Sequence, residues 1–169
     1  MMRAKNPPSL RPVLPGDAPR LAALFRASVE MLAEDFYDDD QRAAWAACAD
    51  DESGFAGRLG AGLTIVALID GEIAGFASLK DARILDMLYV HPGYARLGVG
   101  SALADALEKL GAARGAQSLS VDASDAARAF FEKRGYIPQS RNTVVINGEW
   151  LGNTTMTMAL APPVATGHA

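Results

Sequence analysis

Residues Ile84 to Val90 form an apolar run broken only by Asp86. The run stops at His91-Pro92-Gly93, and a turn of small residues, Arg96-Leu97-Gly98-Val99-Gly100-Ser101, follows. The next apolar positions fall at Leu103, Leu107 and Leu110. This pattern predicts a strand, a glycine turn and a helix start. Glycines let backbone N–H groups approach an anion, and the first N–H groups of a helix have no partner of their own. The helix dipole adds about half a positive charge there, so a pyrophosphate is a natural ligand.

Spacing excludes the two commonest phosphate patterns. No Gly-Lys-Ser/Thr follows the turn, as a P-loop needs, and a dinucleotide fingerprint counted from Gly98 and Gly100 would need a third glycine where Leu103 stands. The order of elements excludes a doubly wound sheet as well. Leu63 to Ile69 is a β-branched run ending at Asp70-Gly71, a hairpin signal, and Glu72 to Leu79 returns antiparallel. Asp81-Ala82 then turns into the central strand, so three antiparallel strands precede the glycine turn, whereas a doubly wound fold would place helices between them.

Before them, Leu10 to Leu14 reads as an edge strand carrying Pro12. A helix follows from Gly16-Asp17, with Leu21, Leu24, Phe25 and Val29 at helical spacing. Further helical stretches run after Asp38-Asp39-Asp40 and over about Asp51 to Leu59. After the long helix, Ala116 to Val121 is a strand reached by a parallel crossover. Ser124 is placed to cap a short helix from Asp125 to Arg134, and Gly135 to end it. Ile137 to Ile146 and Trp150 to Leu160 form a last hairpin across Asn147-Gly148. The fold class is α+β: a mixed, mostly antiparallel sheet in the order β-α-α-β-β-β-α-β-α-β-β, flanked by helices.

With 169 residues, half of them apolar, the chain is long enough for one domain, expected over 10–161 between a flexible N-terminus (1–9) and a disordered tail (162–169). A net charge of −4 and no basic run argue against nucleic acid. There is no stretch of eighteen apolar residues to span a membrane, and the N-terminus does not resemble a secretory signal. The single Cys48 fits a reducing compartment, and the cytoplasm is the expected location. His91 and His168 lie in a turn and in the tail, so no metal site is expected.

Tyr89-Val90-His91-Pro92, followed by Tyr94 to Leu103, resembles the acetyl-CoA motif of the GCN5-related N-acetyltransferases (GNAT), Gln/Arg-x-x-Gly-x-Gly/Ala. A second block, Val121 to Tyr136, is similar to the family's later helix, and the resemblance spans about Leu10 to Leu160. The first motif position falls on Ala95, where the family has Gln or Arg; Arg96 stands beside it.

The resemblance implies transfer of acetyl from acetyl-CoA to a primary amine of a small molecule or peptide, with no metal. It implies that the central strand splays from its neighbour, so that Leu88, Tyr89 and Val90 offer main-chain groups to the coenzyme, with the Val90 N–H as donor to the thioester carbonyl. The pyrophosphate then falls on Arg96, Leu97, Gly98, Val99, Gly100 and Ser101, with Ser124 and Phe131 along the pantetheine arm. It also makes a homodimer through the C-terminal strands a possibility.

Asp86 stands where the family often carries the carboxylate that deprotonates the amine. Two residues from Leu88, it is expected on that residue's face. The alternatives are that it binds the ammonium, or pairs with Arg83 or Arg128. Phe131 occupies the position of the family's proton-donating tyrosine and cannot donate; the proton then comes from water, Tyr89 or Tyr37. Acidic residues gather at Glu30, Glu34, Asp35 and Asp38 to Asp40, then at Asp50, Asp51 and Glu52. They are either a solvated surface with helix-start charge or a rim that draws in a cationic amine, to which Tyr37 and Trp45 would offer aromatic faces. Competing functions are a CoA-binding sensor without turnover, an acyltransferase using a longer or aminoacyl donor, and a nucleotide-binding regulator of another fold.

Overall fold

A computed structural model describes residues 6–161. The expectations for residues 1–5 and for the tail 162–169 lie outside these residues. Seven strands form one sheet in the order β1-β2-β3-β4-β5-β7-β6. They are β1 (Ser9–Pro12), β2 (Leu63–Ile69), β3 (Glu72–Lys80), β4 (Ile84–Val90), β5 (Ser118–Ser124), β6 (Ile137–Ile146) and β7 (Glu149–Ala159). Only β4 and β5 run parallel; every other neighbouring pair is antiparallel. The hairpin turns adopt the left-handed backbone their sequences require: Asp70 and Gly71 have φ of 50° and 81°, Asn147 and Gly148 of 45° and 84°.

Three helices, α1 (Ala18–Leu32), α2 (Asp39–Ala46) and α3 (Glu52–Gly60), join β1 to β2 and cover one face of the sheet. Their core joins Leu21, Phe25 and Val29 of α1 to Val66, Phe76 and Met87 of the strands. On the other face, α4 (Val99–Ala113) and α5 (Arg128–Lys133) bury Leu103, Leu107 and Phe131 against Leu85, Leu119 and Val121. Gly75 of β3 lets the first turn of α4 come close: a Cβ there would lie 2.8 Å from Val99 Cγ1 and 2.9 Å from the Tyr89 carbonyl oxygen.

Two sequence expectations need correction. Ser124 ends β5 and does not cap a helix beginning at Asp125; its hydroxyl accepts from the Ala127 N–H (3.2 Å), closing a turn, and α5 starts at Arg128. Side-chain hydrogen bonding of this kind competes with helix nucleation. Asp86 does not share the face of Leu88. Between Ser78↔Met87 and Leu79↔Leu85 the register slips, leaving Asp86 as an extra residue, a β-bulge. Leu85 and Leu88 therefore both pack toward α4, while Met87 and Tyr89 pack toward α1, and Asp86 reaches Arg58 of α3 on that second face.

The entry into α1 is held by Asp17, whose carboxylate accepts from Arg11 Nη1 (2.7 Å) and Nη2 (3.0 Å) and from the Leu14 N–H (2.7 Å). Hydrogen bonding from Arg11 holds this carboxyl below the usual range, against burial, which pushes it up. A lowered folded-state value means the stabilisation is present at pH above the unfolded value of ~3.9 and fades as pH falls through the folded one. Asp17→Asn should therefore cost about 2 kcal/mol at pH 7. In urea unfolding, the gap between variant and parent should begin to narrow near pH ~4 and close once the pH is below the lowered folded value; a gap unchanged with pH would reject this assignment.

Candidate active site

β4 and β5 pair at only two positions, Ile84↔Ser120 and Leu85↔Val121, and then separate. The hydrogen-bonding phase of β4 decides what the gap receives. His91 N donates to Ala74 O (2.8 Å), and Tyr89 and Phe76 lie two residues back in the same register. In an antiparallel ladder, alternate residues point their amides at the partner, so Tyr89 and His91 face β3 while the main-chain groups of Leu88 and Val90 face the gap. A strand interior thus carries unpaired N–H and C=O groups without being at a sheet edge.

The turn after β4 supplies a second set. Gly98 lies in the left-handed region (φ 83°), as does Arg96 (φ 63°). The first bond of α4 runs from Ala102 N to Gly98 O (3.0 Å), so Val99, Gly100 and Ser101 have no intrahelical acceptor, and no side chain caps Gly98. A Cβ on Gly98 would meet nothing within 4 Å, while one on Gly100 would lie 3.5 Å from the Phe130 ring. Left-handed residues in a turn, followed by a helix start, aim successive N–H groups into one concavity, an arrangement suited to a diphosphate.

Both sets open into one cleft of about 720 Å³. It gathers Tyr37, Asp86, Leu88, Tyr89, Val90, Arg96, Gly98, Val99, Gly100, Ser101, Ser124 and Phe131. Of the expected site residues only Leu97 is outside the lining; it packs against the α4-side core. The charged residues of the lining are Arg58, Asp86, Arg96 and Asp122. Sequence reasoning misses Arg58 and Asp122; Arg58 carries no distinctive signal, since it comes from a helix 28 positions away from its partner. Asp122, however, alternates with Leu119, Val121 and Ala123, which marks it as the outward residue of β5.

Asp86 pairs with Arg58, not with Arg83 or Arg128. Arg58 Nε donates to Oδ2 (2.9 Å), and Nη2 reaches both Oδ1 (3.4 Å) and the Asp86 carbonyl (3.2 Å); Arg128 is taken by Glu132 (2.8 Å). Burial pulls the Arg58 guanidinium down, but Asp86 more than offsets it, so its pKa lies above the usual arginine value. Tyr37 is buried, and its hydroxyl is committed twice, donating to Gly152 O (2.6 Å) and accepting from the Asp125 N–H (2.9 Å). Tyr89 packs among Phe25, Trp45 and Phe76, and burial pushes its hydroxyl up to about 12. Phe131 is buried, stacked edge-on to Phe130 and Tyr136.

None of the clustered acidic residues around α2 lines the cleft. Asp38 caps α2 through the Gln41 N–H (2.8 Å), Asp39 pairs with Arg42, and Asp51 caps α3 through the Gly54 N–H (3.1 Å). Asp38 and Asp39 at α2 and Asp51 at α3 thus stand as helix-start charge. No group of three or more His, Cys, Asp or Glu among the described residues is arranged to hold a metal, and no described helix is long and apolar enough to cross a membrane.

Residues 32–160 match the family model described as an acetyltransferase (GNAT) domain. The N-acetyltransferase YafP of Escherichia coli (strain K12), itself uncharacterized, is 37% identical over 147 residues, 87% of this chain and 93% of that protein. Among solved structures, a GCN5-related N-acetyltransferase from Rhodopseudomonas palustris, also described as "Aminotransferase, Class-II", is 56% identical with a TM-score of 0.91, covering 95% of this chain and 99% of that one. The PaiA N-acetyltransferase from Thermoplasma acidophilum, solved in complex with coenzyme A, is 16% identical and shares the fold, with a TM-score of 0.74 over 91% of this chain and 99% of its own.

Proposed function

The chain belongs to the GNAT acetyltransferase family, and on that premise we propose that it transfers acetyl from acetyl-CoA to a primary amine of a small molecule or peptide, within a single domain spanning 10–161. The observation that carries this reading is the two-residue pairing of β4 with β5, which leaves the Val90 amide free beside a helix start with three unpaired N–H groups. The backbone from Arg96 to Ser101 holds the diphosphate, and the β4 main chain at Leu88 and Val90 holds the acyl end. Open space at Gly98 fits this role, since nothing lies where a side chain would stand in the way.

The acceptor gives up its ammonium proton to water in the cleft, and the neutral nitrogen bonds to the thioester carbonyl carbon. The carbon–sulfur bond breaks, CoA leaves as a thiolate, and the second proton lost by the nitrogen passes to water as well. The Val90 N–H donates to the carbonyl oxygen as it gains charge, an interaction strongest at the transition state. The leaving thiolate takes its proton from water. Phe131 has none to give, the Tyr37 hydroxyl is committed, and Tyr89 is packed among Phe25, Trp45 and Phe76, where burial holds its proton.

Mixing the protein with acetyl-CoA, a panel of amines and a thiol reagent should give CoA release that depends on the amine, with a product heavier by one acetyl group. CoA binding without amine-dependent release would instead make this a CoA-binding protein without turnover.

A further inference from the structure

Resting on the transferase reading, we infer that the acceptor is a monoamine with an apolar body, and that its ammonium is held by Asp122 rather than Asp86. Both carboxylates stand at the mouth of the gap. Leu85↔Val121 is the last β4–β5 pair, and Asp86 and Asp122 are the next residues on either side. Val121 and Ala123 are buried toward α4 and α5, so Asp122 points to the opposite face, the one from which Asp86 reaches Arg58, and it is exposed to the cleft.

Their charge states of contact differ. Both carboxylate oxygens of Asp86, and its carbonyl, are met by Arg58. Asp122 takes part in none of the ion pairs among the described residues. Its Oδ1 accepts from Thr155 Oγ1 (2.6 Å), which in turn accepts from Asn142 Nδ2 (2.8 Å), while the same Asn142 nitrogen lies 3.0 Å from Asn153 Oδ1. This relay fixes the carboxylate by one oxygen, and Oδ2 meets no donor among the described residues. A cation entering the cleft therefore finds one carboxylate already neutralised and one that is not, and a charge-assisted N–H···O bond forms at the second.

The rest of the acceptor side is mostly apolar: Leu32, Trp45, Val144, Ile146 and Leu151 line it, with Ser28 and Asn153 as neutral polar neighbours, and no third carboxylate is in the lining among the described residues. A polyamine or aminoglycoside would bury further charges against these side chains without a partner, which is costly. An amine on a hydrocarbon or aromatic body would not.

The test compares 2-phenylethylamine with spermidine and kanamycin in the thiol-release assay, using the parent, Asp122→Asn, Asp86→Asn and Thr155→Val, with melting curves to establish folding and calorimetry to measure acetyl-CoA affinity. Phenylethylamine should have the lowest Michaelis constant. Asp122→Asn should raise that constant ~10- to 100-fold with acetyl-CoA affinity unchanged. Thr155→Val, which keeps the charge but frees the carboxylate, should raise it less. A preference for spermidine or kanamycin overturns the acceptor class. Parental kinetics in Asp122→Asn overturn its role, and a loss confined to Asp86→Asn assigns the amine to Asp86. Absence of acetyl-CoA binding in the parent, or bound acetyl-CoA with no release on any amine, overturns the transferase reading itself and this inference with it.

Discussion

Gly98→Val should lower the affinity for acetyl-CoA ~100-fold or more while the protein still folds. The physical reason is local. Gly98 sits at φ 83°, a conformation that costs a residue with a Cβ about 1–2 kcal/mol and a β-branched one more. Since a Cβ there would meet nothing within 4 Å, no packing clash is added, and the fold survives the change. The backbone, however, relieves the strain by rotating, and the N–H groups that follow lose their common direction. Two charged hydrogen bonds lost at about 1.5–3 kcal/mol each account for the expected drop. Calorimetric titration measures it directly, and Gly98→Ala should fall between parent and valine. Undiminished affinity in the valine variant would mean the diphosphate does not sit on this turn.

Val90→Pro should reduce turnover ~100- to 1,000-fold with acetyl-CoA affinity changed only a few-fold. Proline in a strand normally breaks a ladder bond, but the Val90 amide faces the β4–β5 gap and serves no strand partner, while the neighbouring His91 N–H keeps its bond to Ala74 O. The substitution thus removes one donor and keeps the ladder bonds, but it also fixes φ and alters a side chain that packs on the α4-side core, so melting curves accompany the kinetics. Because that donor acts on the oxygen that gains charge during reaction, its loss belongs in kcat and not in ground-state binding. Steady-state kinetics paired with calorimetry separate the two. A variant that retains full turnover would remove Val90 from the chemistry.

Much of this architecture is legible without coordinates because it rests on short-range signals. Asp70-Gly71 and Asn147-Gly148 demand left-handed turns, and the run from Ile84 to Ser101 shifts from strand to helix across glycines that only a tight turn explains. The features that escaped the sequence depend on pairing between distant segments. The bulge at Asp86 exists only relative to β3, and a slip of one residue reverses the face of everything beyond it. That slip is why Asp86 meets Arg58 of α3 instead of joining Leu88. Ser124 has the residue type of a helix cap, but three more residues of turn separate it from α5. For the acidic residues near α2 composition leaves two readings, helix-start charge on a solvated surface or a substrate-steering rim, because it cannot tell a cap from a ligand; the bonds of Asp38, Asp39 and Asp51 fit the first. Asp122 was legible in principle from the alternation of β5, yet its meaning depends on where β4 parts from β5.

A crystal structure with CoA bound tests the central claim most directly. Diphosphate oxygens are expected within hydrogen-bond distance of the amides of Gly98 to Ser101, with the pantetheine arm running along the free side of β4 toward Val90. A coenzyme bound elsewhere, or one held by side chains with those amides facing water, would contradict it.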